Sequence, residues 1–139
     1  MAAQIPIQYE IDEVQAEKTA WGFSCILQKP NGAGGLTPIV QGELSSLTLT
    51  LYDAATYDGA SAGIINSIQD ENINNANHGV FNATSGLLTV TLHDLDNPIA
   101  NTNVMLEKHV ARIHAKYNSG VDSLIQEIIF WVRNLSGVS

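Results

Sequence analysis

A histidine and two acids fall together at one place in this chain, and two histidines at another. His93, Asp94 and Asp96 lie within the run His93-Asp94-Leu95-Asp96-Asn97-Pro98, and His109 and His114 stand close together further on. A calcium loop of the EF-hand type needs oxygen ligands at alternating positions, a mid-loop glycine and a distal glutamate. Asp94 and Asp96 supply only the first two, and Asn97-Pro98 does not continue the pattern. These acids are therefore expected to shape a turn through side-chain bonds to the backbone. His109 and His114 would point to opposite faces of a strand and also diverge on a helix, so they do not share a metal ion in either form. They are expected as ordinary core or surface histidines. Whether they make the protein sensitive to pH near their unperturbed value of about 6.5 is left open by the sequence.

Other motifs are absent or incomplete. Asn31-Gly32-Ala33-Gly34-Gly35 is glycine-rich but lacks the Lys-Ser/Thr ending and the following helix of a phosphate-binding loop, and reads as a hairpin tip. No nucleophile elbow or dinucleotide fingerprint occurs. Any two of the acids could meet as a glycosidase pair, but sugar sites display aromatics, and Phe, Trp and Tyr make up only 6% of the chain. Cys25 is alone, which excludes an intrachain disulfide or a cysteine zinc cluster. It shares a strand face with Trp21, Phe23 and Leu27 and reads as a small core residue. No catalytic residue, cofactor or metal is expected; the chain does not read as an enzyme.

Charge narrows the partners. The formal net charge is −8 over 139 residues, and no Lys or Arg occurs between Lys29 and Lys108. Affinity for nucleic acid rests on cations that neutralise phosphates, and docking to anionic lipid needs them too, so neither partner is expected. Only 14% of residues are charged, against roughly 25% in typical domains, so the polar surface is built from Asn, Gln, Ser and Thr. Burying neutral polar groups costs less than burying ions, which suits a protein that assembles. No apolar run approaches the ~20 residues that span a bilayer. Met1–Pro6 has no basic and apolar leader pattern, so synthesis in a cytoplasm is expected. Asn82-Ala83-Thr84 and Asn134-Leu135-Ser136 are then chance matches to the glycosylation sequon.

The elements that must position these residues are strands. Leu47-Thr48-Leu49-Thr50-Leu51-Tyr52 and Leu87-Leu88-Thr89-Val90-Thr91-Leu92 alternate with period two, which buries the leucines and valine on one face and leaves the threonines on the solvent face. Ile5, Ile7, Tyr9 and Ile11 alternate as an N-terminal strand, with Pro6 marking an edge or a strand start. Asp12 to Lys18 reads as a charged connector, Thr19 to Gln28 as a second strand, and Ile64-Ile65 as a short one. Asn66 to Gly79, rich in Asn, reads as an exposed loop or β-arm. Val80 and Phe81 pair briefly before the turn at Ser85-Gly86.

Residues 107–134 carry two competing patterns. Val121, Leu124, Ile125, Ile128, Ile129 and Val132 fall at helical spacing, whereas Ile128-Ile129-Phe130-Trp131-Val132 has the β-branched and aromatic density of a strand. In a hairpin around Asn118-Ser119-Gly120, His109, Ala111, Ile113, Ala115 and Tyr117 share one face, and Leu124, Gln126, Ile128, Phe130 and Val132 another. The hairpin is favoured. The whole reads as an all-β fold, a single antiparallel β-sandwich of about seven to nine strands, with residues 1–18 an N-terminal arm or edge strand plus connector and 19–139 the sandwich domain.

The order of Glu17-Lys18-Thr19-Ala20-Trp21-Gly22-Phe23, Leu49-Thr50-Leu51-Tyr52-Asp53-Ala54-Ala55-Thr56, Ile64-Ile65-Asn66 and Gly86-Leu87-Leu88-Thr89-Val90-Thr91-Leu92 continues through Asp96-Asn97-Pro98-Ile99 and Glu107-Lys108-His109-Val110-Ala111 to Phe130-Trp131-Val132-Arg133-Asn134. In this order the chain resembles small Ig-like β-sandwich proteins of tailed-bacteriophage virions. The resemblance implies a structural, non-enzymatic subunit of the virion, whether capsid decoration, neck or tail-associated. Such a subunit contacts other virion proteins and forms a homo-oligomer. The Asn-rich loop and the first eighteen residues lie outside it. Candidate contact segments are Met1–Lys18, Lys29–Leu36 and Asn66–His78, with Ile5, Ile7, Tyr9, Ile11, Asn72, Asn74 and Asn75 as candidate interface residues. The N-terminal arm could extend a neighbour's sheet or form the first strand of its own. The rival reading is a carbohydrate- or cell-surface-binding module with Trp131 as its platform.

Overall fold

The computed structural model describes residues 7–40, 42–101 and 103–135. They form strands β1 (Ile7–Glu10), β2 (Gln15–Ala16), β3 (Trp21–Ile26), β4 (Gln28–Pro30), β5 (Leu36–Pro38), β6 (Leu44–Asp53), β7 (Glu71–Asn72), β8 (Gly79–Phe81), β9 (Leu87–Leu92), β10 (Leu106–Tyr117) and β11 (Asp122–Arg133). A single 3-10 turn, Asp94–Asp96, interrupts them, and no α-helix occurs among the described residues. The eleven strands exceed the seven to nine expected, because β2, β4, β5 and β7 are two- or three-residue pairings inside segments whose composition reads as connector or loop.

The largest sheet runs β1-β11-β10-β6-β7, with β2 also on β11; β3-β9-β8 form a second sheet and β4-β5 a small hairpin. The β10–β11 hairpin is its spine, in continuous register from Leu106↔Arg133 to Tyr117↔Asp122. Asn118, Ser119 and Gly120 turn the chain with φ of 53°, 56° and 84°, a left-handed run that Asn and Gly adopt at low cost. The strand reading of 107–134 therefore holds. The apolar residues that look helical in spacing fall on both faces of β11, because both faces are covered.

Inside, Leu47, Leu49 and Leu51 of β6, Ala111, Ile113 and Ala115 of β10, and Phe130 and Val132 of β11 are fully buried. They share one cluster with Leu88, Val90 and Leu92 of the second sheet. The leucine rows thus take the core side as expected. The threonine side of β6 departs from expectation: Thr50 and Tyr52 are also buried. Residues 54–70 fold over that face, and Tyr57 and Ile64 pack against Tyr52, Val110 and Ile129 as a second, smaller core.

Two further expectations are corrected. The main sheet is mixed, not antiparallel, because β1 and β2 both run parallel to β11. No hairpin constrains strands so distant in sequence, and the chain leaves β2 for the other sheet, so parallel pairing carries no topological penalty. The Asn-rich segment is not a free loop. β7 pairs with β6, Leu51 N–H donates to Ile68 O at 2.9 Å and Ile73 N–H to Leu47 O at 2.9 Å, and Ile65, Ile68 and Ile73 are buried. Its asparagines answer a backbone demand: Asn66, Asn75 and Asn77 have φ between 51° and 53°, the left-handed region that Asn tolerates best after Gly.

Candidate functional site

The leucine row of β6 ends in a carboxylate. Asp53 continues the inward-facing parity of Leu47, Leu49 and Leu51, and it is the direct cross-strand partner of His109 on β10. Glu107 lies two residues before His109 and so on the same face. Asp53 and Glu107 are 2% and 4% exposed and His109 is fully buried. One ligand-type atom from each of the three lies within 4.8 Å of the others. His109 Nε2 is 2.5 Å from Glu107 Oε1, and its ring stands edge-on to Phe130 at 5.6 Å. The carboxylates are held from outside. Ala100 and Asn101 N–H groups donate to the two oxygens of Glu107 at 2.8 Å each, and the Thr56 hydroxyl donates to Asp53 Oδ2 at 2.9 Å. Asp53 and Glu107 also line a groove with Asn101, Lys108 and Trp131.

A second polar cluster joins the Asn-rich segment to the 3-10 turn. His78 Nδ1 is 2.5 Å from Glu71 Oε1 and its Nε2 is 2.8 Å from Asp96 Oδ2. Asp96, almost wholly buried, also accepts from Asn66 Nδ2 at 2.7 Å and from the His93 N–H at 2.7 Å. Burial disfavours the charged imidazole of His78, but the hydrogen bond to Glu71 and the charges of Asp96 and Glu71 outweigh it and hold the group above its ordinary value. Asp94 is exposed. The His93–Asp96 run thus shapes a turn, as its composition indicates, and its one buried acid serves His78.

No protein-family model and no curated protein sequence matches this chain.

The expected interface residues do not form one surface. Ile5 lies outside the described residues. Ile7 and Tyr9 belong to β1, with Tyr9 exposed, and Ile11 donates its N–H to Ile129 O at 2.8 Å. Residues 7–10 therefore occupy an edge of the chain's own sheet. Tyr9 and Ile11 border an apolar groove with Phe23, Cys25 and Ile128. Asn72 lies in β7 and Asn74 and Asn75 follow it; all three are exposed, at the opposite edge of the same sheet. Asn75 is committed locally, its Oδ1 accepting the Phe81 N–H at 2.9 Å. His109 and His114 do lie on opposite faces, one buried and one half-buried.

Sequence reading missed the Asp53–Glu107–His109 corner, although its signals were present. Glu107-x-His109 is the spacing that puts two ligand-type side chains on one strand face, and Asp53 falls in register with a buried leucine row. Their cross-strand pairing is a long-range fact that no local pattern carries.

Proposed function

We propose that the chain is a non-enzymatic structural subunit of a tailed-bacteriophage virion, a decoration, neck or tail-associated protein, in which the two sheets form an Ig-like sandwich. It assembles as a homo-oligomer among other virion proteins after synthesis in the host cytoplasm, and works by protein–protein contact. The virion assignment rests on the ordered resemblance described above. The observation that supports a docking role is the outer face of β3-β9-β8. Ser24, Ile26, Val80, Leu87, Thr89 and Thr91 lie there without a charged side chain, and Ile26, Val80 and Leu87 are 47%, 64% and 37% exposed. Interface centres are depleted of charge, because neutral groups are cheaper to desolvate. A second copy of the chain is the occupant this face suits.

Sedimentation velocity tests the reading. The wild-type chain is expected to associate at micromolar concentration, and Val80→Glu, which sets a carboxylate in place of the most exposed of these three apolar side chains, to return it to the monomer. A monomer throughout, or an oligomer indifferent to Val80→Glu, counts against it.

A carbohydrate- or cell-surface-binding role is the second reading, supported by half-buried Trp131 in the groove with Asn101, Lys108, Asp53 and Glu107. Titration calorimetry against a glycan panel decides it: saturable binding that Trp131→Ala abolishes would replace the first reading.

A further inference from the structure

We propose that Asp53, Glu107 and His109 form a binding site for one divalent transition-metal cation. Two carboxylates almost wholly removed from water face one imidazole there. Among the described residues no Lys or Arg pairs with either acid: the lysine and arginine ion pairs are Lys29–Glu43 and Arg112–Glu127. Buried carboxyl groups with no cationic side chain beside them are costly to keep charged unless they coordinate a metal.

The imidazole is also unfinished. Its Nε2 meets Glu107, while Nδ1 has no hydrogen-bond partner although the residue is fully buried. That nitrogen is the only buried side-chain polar atom among the described residues left in this state, and such exceptions call for a specific reason. A cation at this corner would supply the positive charge that the two carboxyl groups lack.

The donor set and its supports fit. Carboxylate oxygens and an imidazole nitrogen suit zinc and manganese, whereas calcium prefers a cage of oxygens alone. The amides of Ala100 and Asn101 and the Thr56 hydroxyl fix the two carboxylates from behind, as outer hydrogen bonds do for ligating groups. Asp53 and Glu107, though not His109, also line a groove, from which an ion can reach the two carboxyl groups. The cation would fasten the end of β6 to the start of β10, so its role here is structural.

The test uses the full chain stripped with a chelator and then titrated with Zn2+ or Mn2+, with Ca2+ and Mg2+ as controls. Calorimetry is expected to show one equivalent of Zn2+ or Mn2+ bound, with a raised Tm. Asp53→Asn and His109→Gln should each weaken binding by roughly 10-fold or more. In the wild-type chain, Zn2+ should shift the 15N resonances of the His109 imidazole and leave those of His114 in place, a readout that needs no variant. Absence of one-to-one binding of either ion overturns the proposal. So does binding that leaves the His109 resonances unmoved.

Discussion

Arg112 and Glu127 are direct partners across the β10–β11 hairpin, and the guanidinium meets a single carboxylate oxygen twice, Nε at 2.9 Å and Nη2 at 2.8 Å from Oε2. Tyr52 Oη donates to that same oxygen at 2.9 Å, and Gln8 Nε2 donates to Oε1 at 2.8 Å. Strands β1, β10 and β6 thus each send one side chain to one buried carboxylate on β11. Burial would raise Glu127, but the bonds from Gln8, Tyr52 and Arg112 overcome it and hold the group below the usual range. Tyr52 moves the other way: burial, then its bond to Glu127 and that group's charge, push its phenol up to about 12.

Removing the cation should therefore be expensive. Arg112→Met leaves Glu127 buried with only neutral donors, and a loss of about 2–3 kcal/mol in urea unfolding is expected. The acid-unfolding midpoint should also move to higher pH, because Glu127 would then protonate more readily. Arg112→Met combined with Glu127→Gln should recover part of the loss, since no unpaired charge remains. A single variant within ±0.5 kcal/mol of wild type would show that the network contributes nothing to folding.

Gly79→Ala tests how firmly the Asn-rich segment is bound. A Cβ at this buried position would collide with the Ile73 carbonyl oxygen and stand 2.6 Å from Ile73 Cβ. The backbone of one segment or the other must shift, and about 2–3 kcal/mol of lost stability is expected. Hydrogen exchange should localise the loosening to 71–81, with the β10–β11 amides unchanged. Exchange as slow as in wild type across 71–81 would contradict the packing described.

What the sequence disclosed follows the range of each interaction. The alternation of β6 and β9 is local, so Leu49 and Val90 are legible as core from their neighbours alone. The β10–β11 hairpin was legible through Asn118-Ser119-Gly120 and through face parity, against a competing helical stripe that arises because both faces of β11 are covered. The burial of Thr50 was not legible, since it depends on residues 54–70 folding back. Asn66 and Asn75 misled by composition: asparagine marks both exposure and left-handed backbone, and here backbone geometry is the reason for it. The pairing of Asp53 with His109 required the β6–β10 register, which no window of the sequence contains.

Cys25 should be a sluggish nucleophile. Burial against the core raises its thiol from 9.0 to about 11, which lowers the thiolate fraction at pH 8 by about 100-fold. Alkylation by iodoacetamide in the folded protein should be slower than in urea by at least that factor. Equal rates in the two states would mean that the groove beside Tyr9 and Ile11 does not shield the sulfur.

His78 should make stability fall with rising pH. Its folded value lies above the ordinary 6.5, so the charged imidazole binds its proton more tightly in the native state than in the unfolded one. The stabilisation is complete below pH 6.5 and is lost as the pH climbs through the raised native value. Glu71 and Asp96 hold the charge, and the neighbouring His93 ring, 5.1 Å away, opposes it only when itself protonated. His114 contributes with the opposite sign, because burial and then Lys116 depress its value, so its penalty grows as the pH falls. The difference between wild type and His78→Gln isolates the His78 contribution. Tm measured from pH 5.5 to 8.5 should show the gap widest at the acidic end and closing toward the alkaline end. A gap constant with pH would mean that His78 packs in this cluster as a neutral ring.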